Sequence, residues 1–201
     1  MMNFLAHIFL SFNDEEISIG NFIADSIRGN RYGHFPARIQ QGIVLHRAID
    51  TFTDAHPVHR QSSKRLHPSQ GHYSRVVVDV FYDHFLAKNW NRYSEVELRH
   101  FAADFYRLLK SRYPILPEPT RHLMPYMIRD NWLYNYATVD GINKVLNGLY
   151  RRTGKKSNMN KAVLDLQSHY DLFEAEFTLF FEDLIIFSRE KFNSLTNPRN
   201  T

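Results

Sequence analysis

The sequence predicts an all-α protein, and two observations support this prediction. Apolar residues recur with helical spacing along nearly the whole chain of 201 residues. No segment alternates apolar and polar residues as a half-buried strand would, and no hairpin turn joins two such segments. With 43% hydrophobic and 14% aromatic residues, the chain can build a substantial core. We therefore expect at least seven helices, no sheet, and a single domain over residues 1–201.

Turn-forming residues set the limits of the predicted helices. A short apolar helix is expected at residues 2–11, and a second over 17–27 ends at Gly29. Pro36 stands near the start of a long helix over residues 37–53. The remaining predicted helices share the apolar periodicity and are separated by proline, glycine or polar segments: 74–89, 95–112, 119–132, 141–152 and 162–192, the last being one long helix or two joined by a bend.

Composition narrows the classes of function. The chain has no cysteine, which excludes disulfides, thiolate metal ligands and a cysteine nucleophile, and fits the cytoplasmic location that we expect. No apolar stretch approaches the roughly 20 residues that span a bilayer. The net charge of +4 and pI of about 9.3 suggest an anionic partner. Because the basic residues are scattered, we expect a phosphoester substrate and no nucleic acid.

Acidic and histidine side chains recur at helical spacing in apolar surroundings. His46 and Asp50 stand at i and i+4, with Asp54 one turn further, and Asp79 and Asp83 repeat this spacing. Acids one turn apart repel each other and lose solvation near a core, and a metal ion would remove both penalties. Oxygen and imidazole ligands suit magnesium, manganese, iron or zinc.

Each of these residues also has an ordinary structural explanation. Asp25 can be an exposed helix acid, and a lone His46 or His7 is more often a hydrogen-bonded core histidine than a ligand. Asp79 is harder to explain in this way because valines and Phe81 surround it. Asp83 and His84 form the adjacent acid–imidazole pair that can join a metal to a supporting partner. Taken together, the residue types and spacings favour a shared metal site.

Several segments resemble the bacterial acyl carrier protein phosphodiesterase family, also called acyl carrier protein hydrolyase: MNFLAH at 2–7, GNFIAD at 20–25, GIVLHRAID at 42–50 and DVFYDHFL at 79–86. The resemblance implies an all-helical, atypical branch of the HD phosphohydrolase superfamily. It implies removal of 4′-phosphopantetheine from holo-acyl carrier protein, with manganese as the metal and magnesium or iron as alternatives. The chain departs from the usual HD pattern, since no adjacent His-Asp pair occurs and 83–84 has the reverse order.

The resemblance and the spacings together suggest roles for individual residues. We expect Arg47 to hold a phosphate oxygen, His84 to protonate the departing serine oxygen, and Asp50 to support the metal or bind it. A basic surface would attract the acidic carrier. The expected metal ligands are His7, Asp25, His46, Asp79 and Asp83, and the expected docking residues are Arg28, Arg31 and Arg38.

Two other functions remain open from the sequence. One is an HD-like hydrolase of nucleotides or other small phosphoesters, which would act without any carrier protein. The other is a non-enzymatic helical binding protein whose acids only stabilise the fold, which would bind no metal. Motifs for serine hydrolases, phosphate-binding loops and dinucleotide-binding folds are absent from the sequence.

Overall fold

Helices account for all the regular structure in a computed structural model that describes residues 4–197. The prediction of at least seven helices and no sheet is confirmed for this part of the chain. The eleven α-helices of these residues are α1 (Phe4–Phe9), α2 (Glu15–Ile23), α3 (Ala37–Ala55), α4 (Pro57–Gln70), α5 (Ser74–Lys88), α6 (Leu98–Ser111), α7 (Glu118–Arg129), α8 (Trp132–Asn135), α9 (Val139–Arg152), α10 (Ala162–Ser168) and α11 (Tyr170–Thr196).

The four-residue helix α8 was not predicted from the sequence, and neither was α4. Helix α4 is largely polar and contains Pro68 in its interior, so the apolar periodicity that reveals the other helices is weak there. Pro57 occupies its first turn, where the missing amide hydrogen costs nothing. At the other end of the chain, the predicted helix over 162–192 is two helices, with His169 between them.

Helices α2 and α3 pack closely because they meet at two glycines. A Cβ atom at Gly20 would lie 2.1 Å from the carbonyl oxygen of Ile39, and one at Gly42 would lie 2.3 Å from that of Ile17. Either distance is far inside van der Waals contact, so only glycine fits at both positions. This backbone contact brings Asn21, which follows Gly20, close to His46, which lies one turn after Gly42.

The short helix α1 is fixed to α5 by a buried carboxylate. The two oxygens of Asp83 accept hydrogen bonds from the backbone amides of Leu5 (3.0 Å) and Ala6 (2.9 Å). These amides belong to the first turn of α1 and have no partner within that helix. Burial raises the pKa of Asp83 well above its usual value, while the two amides act in the opposite direction. Asp83 therefore sets the position of α1 and of His7 within it.

Aromatic residues of α11 pack over α3, α4 and α5. A continuous core of buried apolar side chains extends from Phe4 to Leu184. The carboxylate of Glu176, on α11, accepts two hydrogen bonds from Arg65 of α4, at 2.6 and 2.7 Å. This planar two-point contact fixes α4 against α11. None of the described helices is long and apolar enough to cross a membrane.

The close contact at the two glycines predicts that one added methyl group lowers the stability of the fold. We expect Gly20→Ala or Gly42→Ala to lower the free energy of unfolding by about 1–3 kcal/mol, because backbone atoms must move apart. The melting temperature should fall by roughly 2–4 °C per kcal/mol in a protein of this size. Gly148→Ala, in α9, is the matched control, since nothing lies within 4 Å of the position that its methyl group would take. If Gly148→Ala lowered the melting temperature as much as Gly42→Ala does, the explanation would be contradicted.

Candidate metal centre

Two imidazoles and two carboxylates meet where α1, α2 and α3 come together. His7 comes from α1, and His46 and Asp50 come from α3. Asp25 lies in the 3₁₀ turn that directly follows α2. One nitrogen or oxygen from each of His7, His46 and Asp50 lies within 4.8 Å of the other two, and this group can hold a metal ion. These residues with Asp25 are called the His–Asp cluster below.

Close contacts join the members of the cluster. His46 Nε2 lies 3.2 Å from an oxygen of Asp50 and 3.4 Å from an oxygen of Asp25, and His7 Nε2 lies 3.3 Å from the other oxygen of Asp50. The two imidazole rings stack, with 4.0 Å between their centroids. Both histidines are buried, whereas the Asp25 side chain is 37% exposed. The cluster is therefore closed on its histidine side and open towards Asp25.

Asn21 orients both imidazoles through one oxygen atom. Its Oδ1 lies 2.7 Å from His7 Nδ1 and 3.2 Å from His46 Nδ1. Its Nδ2 donates to the backbone oxygen of His7 and to Ser11 Oγ, and these bonds establish which end of the amide is the oxygen. A carbonyl oxygen only accepts, so each Nδ1 carries a hydrogen. In their neutral form both rings then direct the lone pair of Nε2 into the cluster.

The residues present fit a divalent cation. His7 Nε2, His46 Nε2 and Asp50 Oδ1 are buried and have no hydrogen-bond partner of proper geometry among the described residues, although carboxylates lie close to both nitrogens. Unpaired buried acceptors are costly. A cation between them would satisfy all three atoms at once. Two imidazoles with carboxylates are common ligands of manganese, iron and zinc.

The electrostatics of the cluster show an excess of negative charge. Burial alone would lower the pKa of His46, but Asp25 and Asp50 raise it to about 9. Burial would raise the pKa of Asp50, but the two histidines hold it well below its usual value. The pKa of His7 is lowered, by burial first and by the neighbouring His46 second. The cluster thus attracts one positive charge strongly, and a metal ion would take the place of the proton on His46.

Asp79, an expected ligand, contacts a histidine outside the cluster. Its Oδ1 lies 3.1 Å from His59 Nε2, and both side chains are about 1% exposed. Burial raises the pKa of Asp79, with a smaller contribution in the same direction from Asp50, so the pair lies within electrostatic reach of the cluster. The structure does not bring Asp83 into the cluster either, because both of its oxygens bind the amides of α1.

The expected catalytic residues His84 and Arg47 also contact other groups. His84 Nδ1 lies 2.7 Å from the carbonyl oxygen of Tyr136, so it donates there, and Nε2 accepts from the Tyr170 hydroxyl at 2.7 Å. This histidine therefore joins α5 to the start of α11. The Arg47 guanidinium donates to the carbonyl oxygen of Gly29 and lies over the ring of Tyr32. Arg47 thus holds the loop after α2 and does not reach into the cluster.

The three expected docking arginines differ in their surroundings. Arg28 and Arg31 are exposed at the loop after α2, and Arg28 lies close to Asp25 in a surface groove. Arg38 instead forms an ion pair with Asp14, the residue that caps α2. The Arg38 side chain is therefore engaged within the fold, whereas the other two arginines remain candidates for contact with a partner.

The sequence did not reveal which groups Asn21 and His59 contact. Asn21 stands one helical turn before Asp25, yet its oxygen contacts the two histidines. His59 received no role because α4 was not predicted. A buried Asp79 with no visible counter-charge was the available signal that such a partner exists.

Comparisons with known proteins give consistent results. A family model described as "Acyl carrier protein phosphodiesterase" matches residues 2–184. A protein of that name from Klebsiella pneumoniae subsp. pneumoniae is 34% identical, over 94% of this chain and 99% of the relative. Relatives with the same name from Enterobacter sp. and Photorhabdus laumondii are 31% and 33% identical, over 94% and 90% of this chain and 99% and 91% of their own. No solved structure matches the chain.

The double acceptor role of Asn21 predicts a metal-binding defect. We expect Asn21→Leu, which keeps the volume but removes the amide, to weaken Mn²⁺ binding by roughly 10–100-fold, because both imidazoles lose their orienting bond. Titration calorimetry measures this affinity directly. Asn193→Leu, at an exposed position of α11, is the control and should bind as the wild type does. Unchanged affinity in a folded Asn21→Leu variant would show that the amide does not orient the ligands.

Proposed function

This chain belongs to the acyl carrier protein phosphodiesterase family, and from that membership we propose that it hydrolyses the phosphodiester of holo-acyl carrier protein. Water would cleave the bond between 4′-phosphopantetheine and the carrier serine, giving apo-carrier and free 4′-phosphopantetheine. The observation that carries the proposal is the buried His–Asp cluster, in which two Nε2 atoms and one carboxylate oxygen share a small space without hydrogen-bond partners among residues 4–197.

We assign His7, His46 and Asp50 as the metal ligands, with Asp25 as the fourth candidate at the open side. Manganese is the expected ion, with magnesium or iron as alternatives. Bound there, a divalent cation supplies charge neutralisation and Lewis acidity for an anionic, kinetically inert diester. The two oxygens of Asp50 lie 3.3 and 3.2 Å from His7 Nε2 and His46 Nε2, so this carboxylate contacts both imidazoles. Asp25, at the solvent side of the cluster, is placed to meet the substrate first.

The other sequence assignments take modified roles in this proposal. Asp79, paired with His59, lies within electrostatic reach of Asp50, and Asp83 fixes the helix that carries His7. His84 has no part in the proposed chemistry because both of its nitrogens are engaged elsewhere. Arg47 follows His46 in the chain and stays a candidate for contact with the phosphate, since the groups it binds belong to an exposed loop.

Intact mass of holo-acyl carrier protein, incubated with this protein and Mn²⁺, tests the function. We expect loss of the 4′-phosphopantetheine mass with the wild type and a rate lower by at least about a hundredfold with Asp50→Asn, which removes a ligand. Asp104→Asn, at an exposed position of α6, is the matched control and should turn over holo-carrier as the wild type does. Hydrolysis of nucleotides without hydrolysis of holo-carrier would instead support the small-phosphoester alternative. Near-normal turnover by Asp50→Asn would remove the cluster from the reaction.

The carrier is a small acidic protein, and we propose that Arg28 and Arg31 attract it. Attraction between these arginines and acidic groups of the carrier acts at long range. Replacing both arginines with glutamate should therefore raise KM for holo-carrier about tenfold at low salt. The difference from wild type should shrink at high salt. Lys64→Glu with Lys110→Glu, at two exposed positions, changes the net charge equally and is the control. Equal effects of the two double variants would indicate a net-charge effect without a defined docking site.

A further inference from the structure

A surface groove of about 730 Å³ reaches the His–Asp cluster at Asp25, the exposed member of the cluster. Asp25 and Arg28, three residues apart in the chain, both line it. The walls combine the apolar side chains of Phe22 and Leu123 with Thr120, whose hydroxyl lies 3.1 Å from that of Ser26. The groove therefore offers a cation near the cluster, then hydroxyls, then apolar surface.

The groove continues into a second depression of about 860 Å³ between α7 and α9. Leu123 and Tyr126 line both, so the two form one path along α7. The far part exposes more apolar than polar surface and includes Trp132 and Gly148, with the charged side chains of Arg129, Lys144 and Arg151 also lining it. Nothing lies within 4 Å of the position where Gly148 would carry a Cβ atom, so this wall is open. Each volume falls within the range of roughly 300–1,000 Å³ that is usual for small-molecule sites.

We propose that this path binds the 4′-phosphopantetheine arm while its phosphodiester lies at the cluster. The inference rests on the proposed function. A diester at the cluster carries two substituents, and these must extend from it along different routes. The carrier protein is too large for a groove and stays outside. The arm is a narrow chain of amides and methylenes that ends in a thiol, so it fits a groove with hydroxyls followed by apolar surface.

Thr120, Leu123 and Tyr126 succeed one another along α7, and this gives the path an order of groups that matches the order along the arm. Arg28 lies at the cluster end, where the phosphate must be, and its positive charge complements that anion. The hydroxyls of Ser26 and Thr120 follow and can exchange hydrogen bonds with the amides of the arm. Leu123 and the far depression come last and receive the methylenes and the thiol. Binding along the groove would hold the diester in place for reaction.

The absence of cysteine from the chain permits a direct test. Single cysteines at Leu123 and Gly148 are converted to activated mixed disulfides, and the thiol of the holo-carrier arm then displaces the activating group. Leu179→Cys is the control, because Leu179 is 61% exposed on α11 and lines neither depression. Rates with a small thiol, mercaptoethanol, correct for differences in accessibility. Intact mass identifies an adduct of the whole carrier or of the released arm.

We expect the corrected rate with holo-carrier at Leu123→Cys or Gly148→Cys to exceed that at Leu179→Cys at least about tenfold, because a bound arm has a high effective concentration beside the groove. Corrected rates equal to the control at both positions would overturn the groove assignment. Wild-type turnover of holo-carrier, measured in parallel, separates the two proposals. Absent turnover contradicts the function, whereas turnover with equal labelling contradicts only the groove.

Discussion

The backbone contact between α2 and α3 at Gly20 and Gly42 is the constraint on which the site depends. Because no side chain separates the two helices there, Asn21 on one helix comes within hydrogen-bond distance of His46 on the other. The 3₁₀ turn after α2 then carries Asp25 to the same imidazole. A larger residue at either glycine would separate an orienting amide and an acid from the histidine they serve. The positions of Asn21 and Asp25 relative to His46 therefore follow from the packing of α2 against α3.

A second set of polar contacts brings the remaining histidine to the cluster. Helix α1 has only six residues and would be marginal alone. Its first amides are satisfied by Asp83 on α5, and the backbone oxygen of His7 accepts from Asn21 on α2. His7 is thus fixed from both sides by buried hydrogen bonds. Such buried polar bonds stabilise one arrangement strongly, since leaving any partner unpaired is costly.

Helical periodicity was sufficient to predict most helices and the pairing of His46 with Asp50. Both follow from local spacing, which the sequence displays directly. The same spacing at Asp79 and Asp83 did not lead to one shared site. Helix α5 is buried on nearly all sides, so each acid meets a different neighbour, His59 in one case and the amides of α1 in the other. Contacts between residues distant in sequence decided those roles, and no local pattern encodes them.

The amide of Asn21 has a consequence for the proton count of the cluster. A carbonyl oxygen has two lone pairs, and here two imidazole N–H groups occupy both. Neither ring can exchange its hydrogen between nitrogens without losing its bond to Asn21. The two rings are therefore coupled through this oxygen, in addition to their stacking contact and their shared contact with Asp50. Asn21 thus leaves the two Nε2 atoms as the nitrogens that can bind an ion.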